Sequence, residues 1–408
     1  MEGSVSAATL PVGTLRVGSG AAVISVISVM PMFLTAGLAV QIGADLHLTP
    51  AALGFVPAAF FGAMVLGSPW AGRIITMVGA TRAIRSAALL VAVVLLLVAT
   101  VAVSLWILLT LLVVAGCANA IAQPATNQIV ASHIPWGRQG SAYGAKYSAI
   151  PVASMLAGLA VPTLGLTVGW RWAFVLFAVA AVIGAGWPFG RLTDTARASP
   201  GNAMVAVHPL RRRLLLVLAI GVGFAAAGGS TLAIFMVSSA VATGWDEGAA
   251  GILLAVASII GIVARLGSGA LADRRGGNHL RAITIMLVAG SVGVAGMALG
   301  SGPLFAVAAP LAFAAGWGWP GVFILTVVRL NPAAPAAATG FTQVGTSAGC
   351  VVGPLLFGFL ADTTSYGVAW GVNALMLAVA ATILALGRYL ILRDRRIHAD
   401  HRTTAQTD

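Results

Sequence analysis

Gly267-Ser-Gly-Ala-Leu-Ala-Asp-Arg-Arg-Gly-Gly277 separates two long apolar runs in the second half of the chain. In the first half, Gly72-Arg-Ile-Ile-Thr-Met-Val-Gly79 separates another two, and Gly72 precedes Gly269 by 197 residues. Other landmarks keep nearly the same offset. Gly54 and Gly251 are 197 apart, Gly144-Ala-Lys-Tyr147 and Gly340-Phe-Thr-Gln343 are 196 apart, and Gly169-Trp-Arg-Trp172 and Gly367-Val-Ala-Trp370 are 198 apart. Self-similarity at a fixed period is the signature of duplicated architecture. The chain reads as two halves of similar build, residues 1–190 and 212–392, joined by the polar stretch 191–211 and followed by a tail, 393–408.

Composition says what surrounds those halves. Of 408 residues, 59% are apolar and 8% charged, against about 25% charged in a soluble domain. So few charges cannot cover an aqueous surface of this size, which excludes a soluble enzyme, a disulfide scaffold and a disordered chain. Windows of 18 or more apolar residues recur at 17–41, 50–72, 83–104, 106–131, 141–163, 171–190, 212–241, 249–272, 282–300, 303–329, 338–361 and 368–392. A helix of ~20 residues crosses ~30 Å of hydrocarbon and satisfies its own backbone. The expectation is an all-α integral membrane protein of twelve spans in two pseudo-symmetric six-helix bundles.

The net charge of +12 is topological. With the N-terminus inside, nineteen of the 22 basic residues fall in inner segments, from Arg16 through Arg402, whereas Asp45, Asp246, Glu247 and Asp362 fall outside with Arg171. This positive-inside bias places both termini in the cytoplasm of a multi-pass plasma (inner) membrane protein. Nucleic acid is not needed to explain the charge. The first apolar stretch is too long for the h-region of a signal peptide. Cys117 and Cys350 both lie within spans and read as small core-filling residues, with no disulfide or metal-ligand spacing.

The loop Gly267–Gly277 resembles the loop signature of the major facilitator superfamily of secondary transporters, and Gly169-Trp-Arg-Trp-Ala-Phe174 resembles its sixth-span start. The resemblance covers essentially the whole chain. It implies that Gly269, Asp273, Arg274 and Gly276 form a conformational latch between neighbouring helix ends. Thr76 stands where the first half would carry its acid, which departs from the pattern. Two bundles facing each other enclose a cavity that rocking opens to either side in turn.

Ionisable residues within spans are functional candidates by default. By these boundaries no Asp or Glu lies in a span. Lys146, the single lysine of the chain, lies about five residues into span five. It either faces the cavity and pairs with a substrate anion, or snorkels to the inner headgroups. Tyr143 and Tyr147 flank it. On span four Gln123 and Asn127 share a face at i, i+4, and Pro124 frees a carbonyl nearby; the alternative for these amides is interhelical hydrogen bonding. Thr342 is the repeat partner of Lys146, with Gln343 beside it on span eleven. Trp317 and Trp319 on span ten, and Met32, Phe33, Thr35 and Gln41 on span one, complete the candidate lining. Arg265 and Arg329 read as topological or headgroup-binding residues.

Two motif matches are rejected on context. Gly345-Thr-Ser-Ala-Gly349 fits a serine-hydrolase elbow but lies inside an apolar helix. Gly316-Trp-Gly-Trp-Pro-Gly321 fits a dinucleotide fingerprint without a preceding strand. Glycines such as Gly349 and Gly353 read instead as close helix contacts. No catalytic constellation, cofactor or metal is expected. The reading is a monomeric alternating-access transporter that binds a small-molecule substrate between its halves within the lipid bilayer, with no nucleic-acid partner. Lys146 in a cavity without acids favours an organic anion such as a carboxylate. Export of apolar drugs or cations, and a non-transporting receptor or sensor, are the alternatives. The coupling ion stays open between uniport, exchange and a proton carried by Lys146 or a tyrosine.

Overall fold

A computed structural model describes residues 12–134, 145–187, 209–275, 279–300, 302–331 and 335–404. The side chains of 12–15, 68–69, 131–132, 209–212, 273–275, 335–337 and 394–404 are outside that description. Within it the chain is helical throughout. Eleven helices are long and apolar enough to cross a membrane, and a shorter apolar helix, Trp170–Ala185, takes the sixth place. Spans one to four are Val12–Gly37, Pro50–Val78, Ala80–Val101 and Leu105–His133. Span five is described from Ala145 and contains Ala149–Ala160 and a π-helical turn, Val161–Gly165. Spans seven to nine are Pro209–Ala242, Glu247–Arg275 and Leu280–Ala298; spans eleven and twelve are Pro335–Thr363 and Tyr366–Thr404. The last helix therefore continues into the stretch read from sequence as a tail.

Span ten is broken. Gly302–Leu311 leads into a π-helical turn, Ala312–Gly316, and the helix restarts at Pro320–Leu330. Proline tolerates the first turn, where its missing N–H costs nothing. Non-helical backbone at membrane depth persists where protein or a wet cavity covers it. Trp317 and Trp319, in the gap, are both buried.

Packing repeats between the halves. Span two packs on four, three on six and one on five; correspondingly eight packs on ten, nine on twelve and seven on eleven. Two further pairs, two with eleven and five with eight, join the halves. The span-seven contact explains the glycine stripe of span eleven. A Cβ on Gly349 or Gly353 would lie 2.1 or 2.3 Å from the carbonyls of Gly223 and Ala227, so these backbones touch directly, as small-residue membrane interfaces do.

The cross-half pairs meet toward the end of the molecule that carries Asp45, Asp246, Glu247 and Asp362, here the acidic end. A Cβ on Gly158 would meet the Gly251 carbonyl at 2.6 Å, and the reverse holds at 2.6 Å. A Cβ on Gly358 would meet the Pro50 carbonyl at 2.7 Å and the Gly54 Cα at 3.2 Å. A short helix, Ala39–Leu46, extends span one over this end. From it Gln41 donates to Glu247 at 2.6 Å, across the halves, so Gln41 closes an end rather than lining an apolar wall. Asp45 of the same helix accepts from Arg171 at 2.6 Å and from the Trp170 indole at 3.1 Å. One cysteine differs from expectation: Cys350 is buried, but Cys117 lies on the exposed face of span four.

Candidate functional site

Span four supplies a polar ladder in an otherwise apolar bundle. Asn119 donates to the Met64 sulfur of span two at 3.0 Å, and Gln123 donates to Asn119 Oδ1 at 3.2 Å and Ser28 Oγ of span one at 3.4 Å. One turn on, Asn127 Oδ1 accepts from Lys146 of span five, and the Gln123 backbone carbonyl accepts from the same ammonium at 3.2 Å. Lys146 is 2% exposed. Its ammonium is turned into the bundle against span four rather than toward a helix end, and it lies 5.3 Å from the Tyr147 ring centroid. All these partners are neutral.

A second buried cation stands beside it. Arg265 of span eight is 8% exposed. Its Nε and Nη2 donate to the Trp317 carbonyl at 3.0 and 2.7 Å, and its Nη1 donates to the Tyr147 carbonyl at 2.7 Å. The guanidinium also lies 5.6 Å from the Trp317 ring centroid, a cation–π distance. Topology and headgroups do not explain this residue, contrary to the expectation for it. It reaches the break in span ten, where the helix leaves a carbonyl to be satisfied, and it reaches across to the other half. The available sequence signal was that Arg265 lies inside the window 249–272, so by default it was a candidate. Arg329, at the end of span ten, donates to His279 at 2.9 Å.

The remaining expectations divide. Lys146, Tyr147, Gln123, Asn127 and Trp317 are brought into one group. The Trp317 indole fills the space over Gly229, where a Cβ would sit 1.8 Å from the ring, and meets Trp319 edge-on at 5.9 Å. Thr342 is buried but bonds within its own helix, to Ala338 and Thr339. Gln343 is exposed and Phe33 is buried among apolar neighbours; neither makes a recorded bond to the group. Tyr143 and Gly276 lie outside the described residues, as do the side chains of Asp273 and Arg274. Gly269, in span eight, has open space where a Cβ would stand.

The charge balance of the group follows from the acids. The four whose side chains are described, Asp45, Asp246, Glu247 and Asp362, all lie at the acidic end. The one ion pair among the described residues, Arg171 with Asp45, is there too. Two buried cations therefore share a neighbourhood whose recorded partners are amide oxygens, backbone carbonyls and aromatic rings. Such surroundings satisfy N–H groups but leave the charge uncompensated.

The model of the Major Facilitator Superfamily matches residues 21–309 and 218–406. A chloramphenicol resistance protein of Streptomyces lividans is 28% identical over 374 residues, 86% of this chain and 91% of that protein. Among solved structures, the fold is similar to a bacterial homologue of the human lysosomal transporter Spinster, with a TM-score of 0.71, 15% identity, and 95% and 99% of the two chains covered. It is also similar to the nucleoside transporter NupG, with a TM-score of 0.69, 16% identity, and 92% and 99% covered.

Proposed function

The chain belongs to the Major Facilitator Superfamily and is a multi-pass transporter of a small solute, and from that premise we propose that the solute is an organic anion of the carboxylate class. It binds between the halves, residues 1–190 and 212–392, in a monomer with both termini cytoplasmic, and alternating access carries it across the bilayer. Lys146 is its principal contact, with Gln123, Asn127 and Tyr147 orienting the ammonium. Tyr143, Gln343, Trp317 and Phe33 line the remainder, and Gly269, Asp273, Arg274 and Gly276 form a latch at the basic end. The observation that carries the reading is the buried ammonium of Lys146, held by neutral oxygens. An anion is the partner that removes its electrostatic cost.

The test is a melting-temperature screen of the purified protein against small carboxylates, their neutral amides and lipophilic cations. A ligand at about 100 times its Kd stabilises by ~2.7 kcal/mol. Carboxylates are expected to shift the wild type and not Lys146→Met. Lipophilic cations shifting both proteins equally would overturn the anion reading. A second reading, export of an apolar drug, is favoured by the likeness to a chloramphenicol resistance protein. It predicts that expression in a sensitive bacterium lowers chloramphenicol accumulation, and that Lys146→Met leaves this effect intact.

A further inference from the structure

We infer that Arg265 is a second anion-binding residue, contributed by the half opposite Lys146, and that its guanidinium selects two-oxygen anions, carboxylates above all. The inference rests on the anion reading given above.

The geometry has three parts. First, Arg265 is buried, and its hydrogen bonds use only part of its donor set. The Nε–Nη2 edge clamps the Trp317 carbonyl and one Nη1 proton goes to the Tyr147 carbonyl. An arginine has five N–H donors and three are used, so one proton remains on each Nη to donate to the oxygens of an anion. Second, the residues holding it are fixed. Trp317 sits in the break of span ten, its ring pinned over Gly229 and against Trp319. That frame holds the guanidinium plane, and a planar fork is worth most when pre-organised.

Third, the two cations flank one residue. Lys146 lies over the Tyr147 ring and Arg265 bonds the Tyr147 carbonyl. Lys146 belongs to the first half and Arg265 to the second, so one anion placed beside Tyr147 meets both halves. The division of labour follows from chemistry. An ammonium is a compact point charge that accepts any anion shape, whereas a guanidinium favours two coplanar oxygens. Lys146 supplies charge and Arg265 supplies shape.

The experiment uses the full-length protein in detergent, with benzoate as the two-oxygen anion and pentafluorophenolate as a one-oxygen anion, at a pH where both are ionised. Wild type, Arg265→Lys, Arg265→Gln and Lys146→Met are compared by titration and by melting temperature. Arg265→Lys keeps the charge and is expected to weaken benzoate by about tenfold or more while changing pentafluorophenolate little. Lys146→Met is expected to weaken both alike. Arg265→Gln should lose benzoate altogether; if it does not fold, the selectivity of Arg265→Lys decides. Unchanged benzoate affinity and selectivity in Arg265→Lys, with loss in Lys146→Met, would overturn the role of Arg265 and leave the anion reading standing. If neither anion binds the wild type while benzamide does, the anion reading fails and the inference falls with it.

Discussion

Asn127 shows how one side chain sets what Lys146 can do. Its amide oxygen satisfies the ammonium without neutralising it, so the positive charge is kept for something else. Asn127→Asp changes that with almost no change in size. The carboxylate would pair with Lys146 and compete with any incoming anion. The expected outcome is a folded protein whose melting temperature no longer responds to the carboxylates that stabilise the wild type. A retained response would mean that the anion does not use Lys146. The same scale shows where sequence reading stops. That Lys146 lies in a span was legible; that its ammonium would turn toward span four depended on which helix packs beside it.

At the scale of the element, the short helix Ala39–Leu46 is tied to span six through a single carboxylate. The hydrogen bond from Arg171, with that from Trp170 behind it, holds the Asp45 carboxyl below its ordinary value of 3.8. Gly169, at φ 99°, makes the turn that brings Trp170 and Arg171 to it. A carboxyl whose folded pKa is lowered stabilises the fold above its unfolded pKa, and that contribution is lost as pH falls through the folded value. Both side chains are about two-fifths exposed, so the effect is screened and worth up to about 1 kcal/mol. Arg171→Ala should lower the melting temperature slightly at neutral pH. The gap to wild type should close only as pH drops below the ordinary carboxylate value. A gap independent of pH down to acid unfolding would mean that the pair contributes nothing.

The break in span ten belongs to this scale too. Gly316-Trp-Gly-Trp-Pro carries two glycines and a proline, and those signals for interrupting a helix were in plain view. What they could not tell was that the interruption would present the Trp317 carbonyl to an arginine of span eight. That pairing joins residues 52 apart in sequence.

For the whole molecule, the acidic end is closed by backbone contact between halves, spans two with eleven and five with eight. Alternating access requires these contacts to part. Gln41 and Glu247 meet across the halves at this end, their side-chain tips 2.6 Å apart, within reach of a short reducible bis-methanethiosulfonate cross-linker. In a background with Cys117→Ser and Cys350→Ala, the pair Gln41→Cys and Glu247→Cys should be bridged by that reagent. Solute flux in proteoliposomes should then stop and return on reduction, while the melting response to carboxylates persists, because the binding group lies away from this contact. Flux that continues through the cross-linked protein would show that the acidic end need not open.

By itself the sequence determined the solvent, the span pattern and the duplication. Those follow from how much apolar length lipid demands, and from a 197-residue offset visible in the residues themselves. It also put Lys146 among the candidates, because an ionisable residue in a span is costly wherever the helix packs. Only the tertiary structure decided that Arg265 is no headgroup anchor, that Gln41 meets Glu247, and that Thr342 does not share the Lys146 group. Helix periodicity states which face a residue occupies. It does not state which helix that face meets, and across a two-bundle fold the choice rests on packing between segments more than a hundred residues apart.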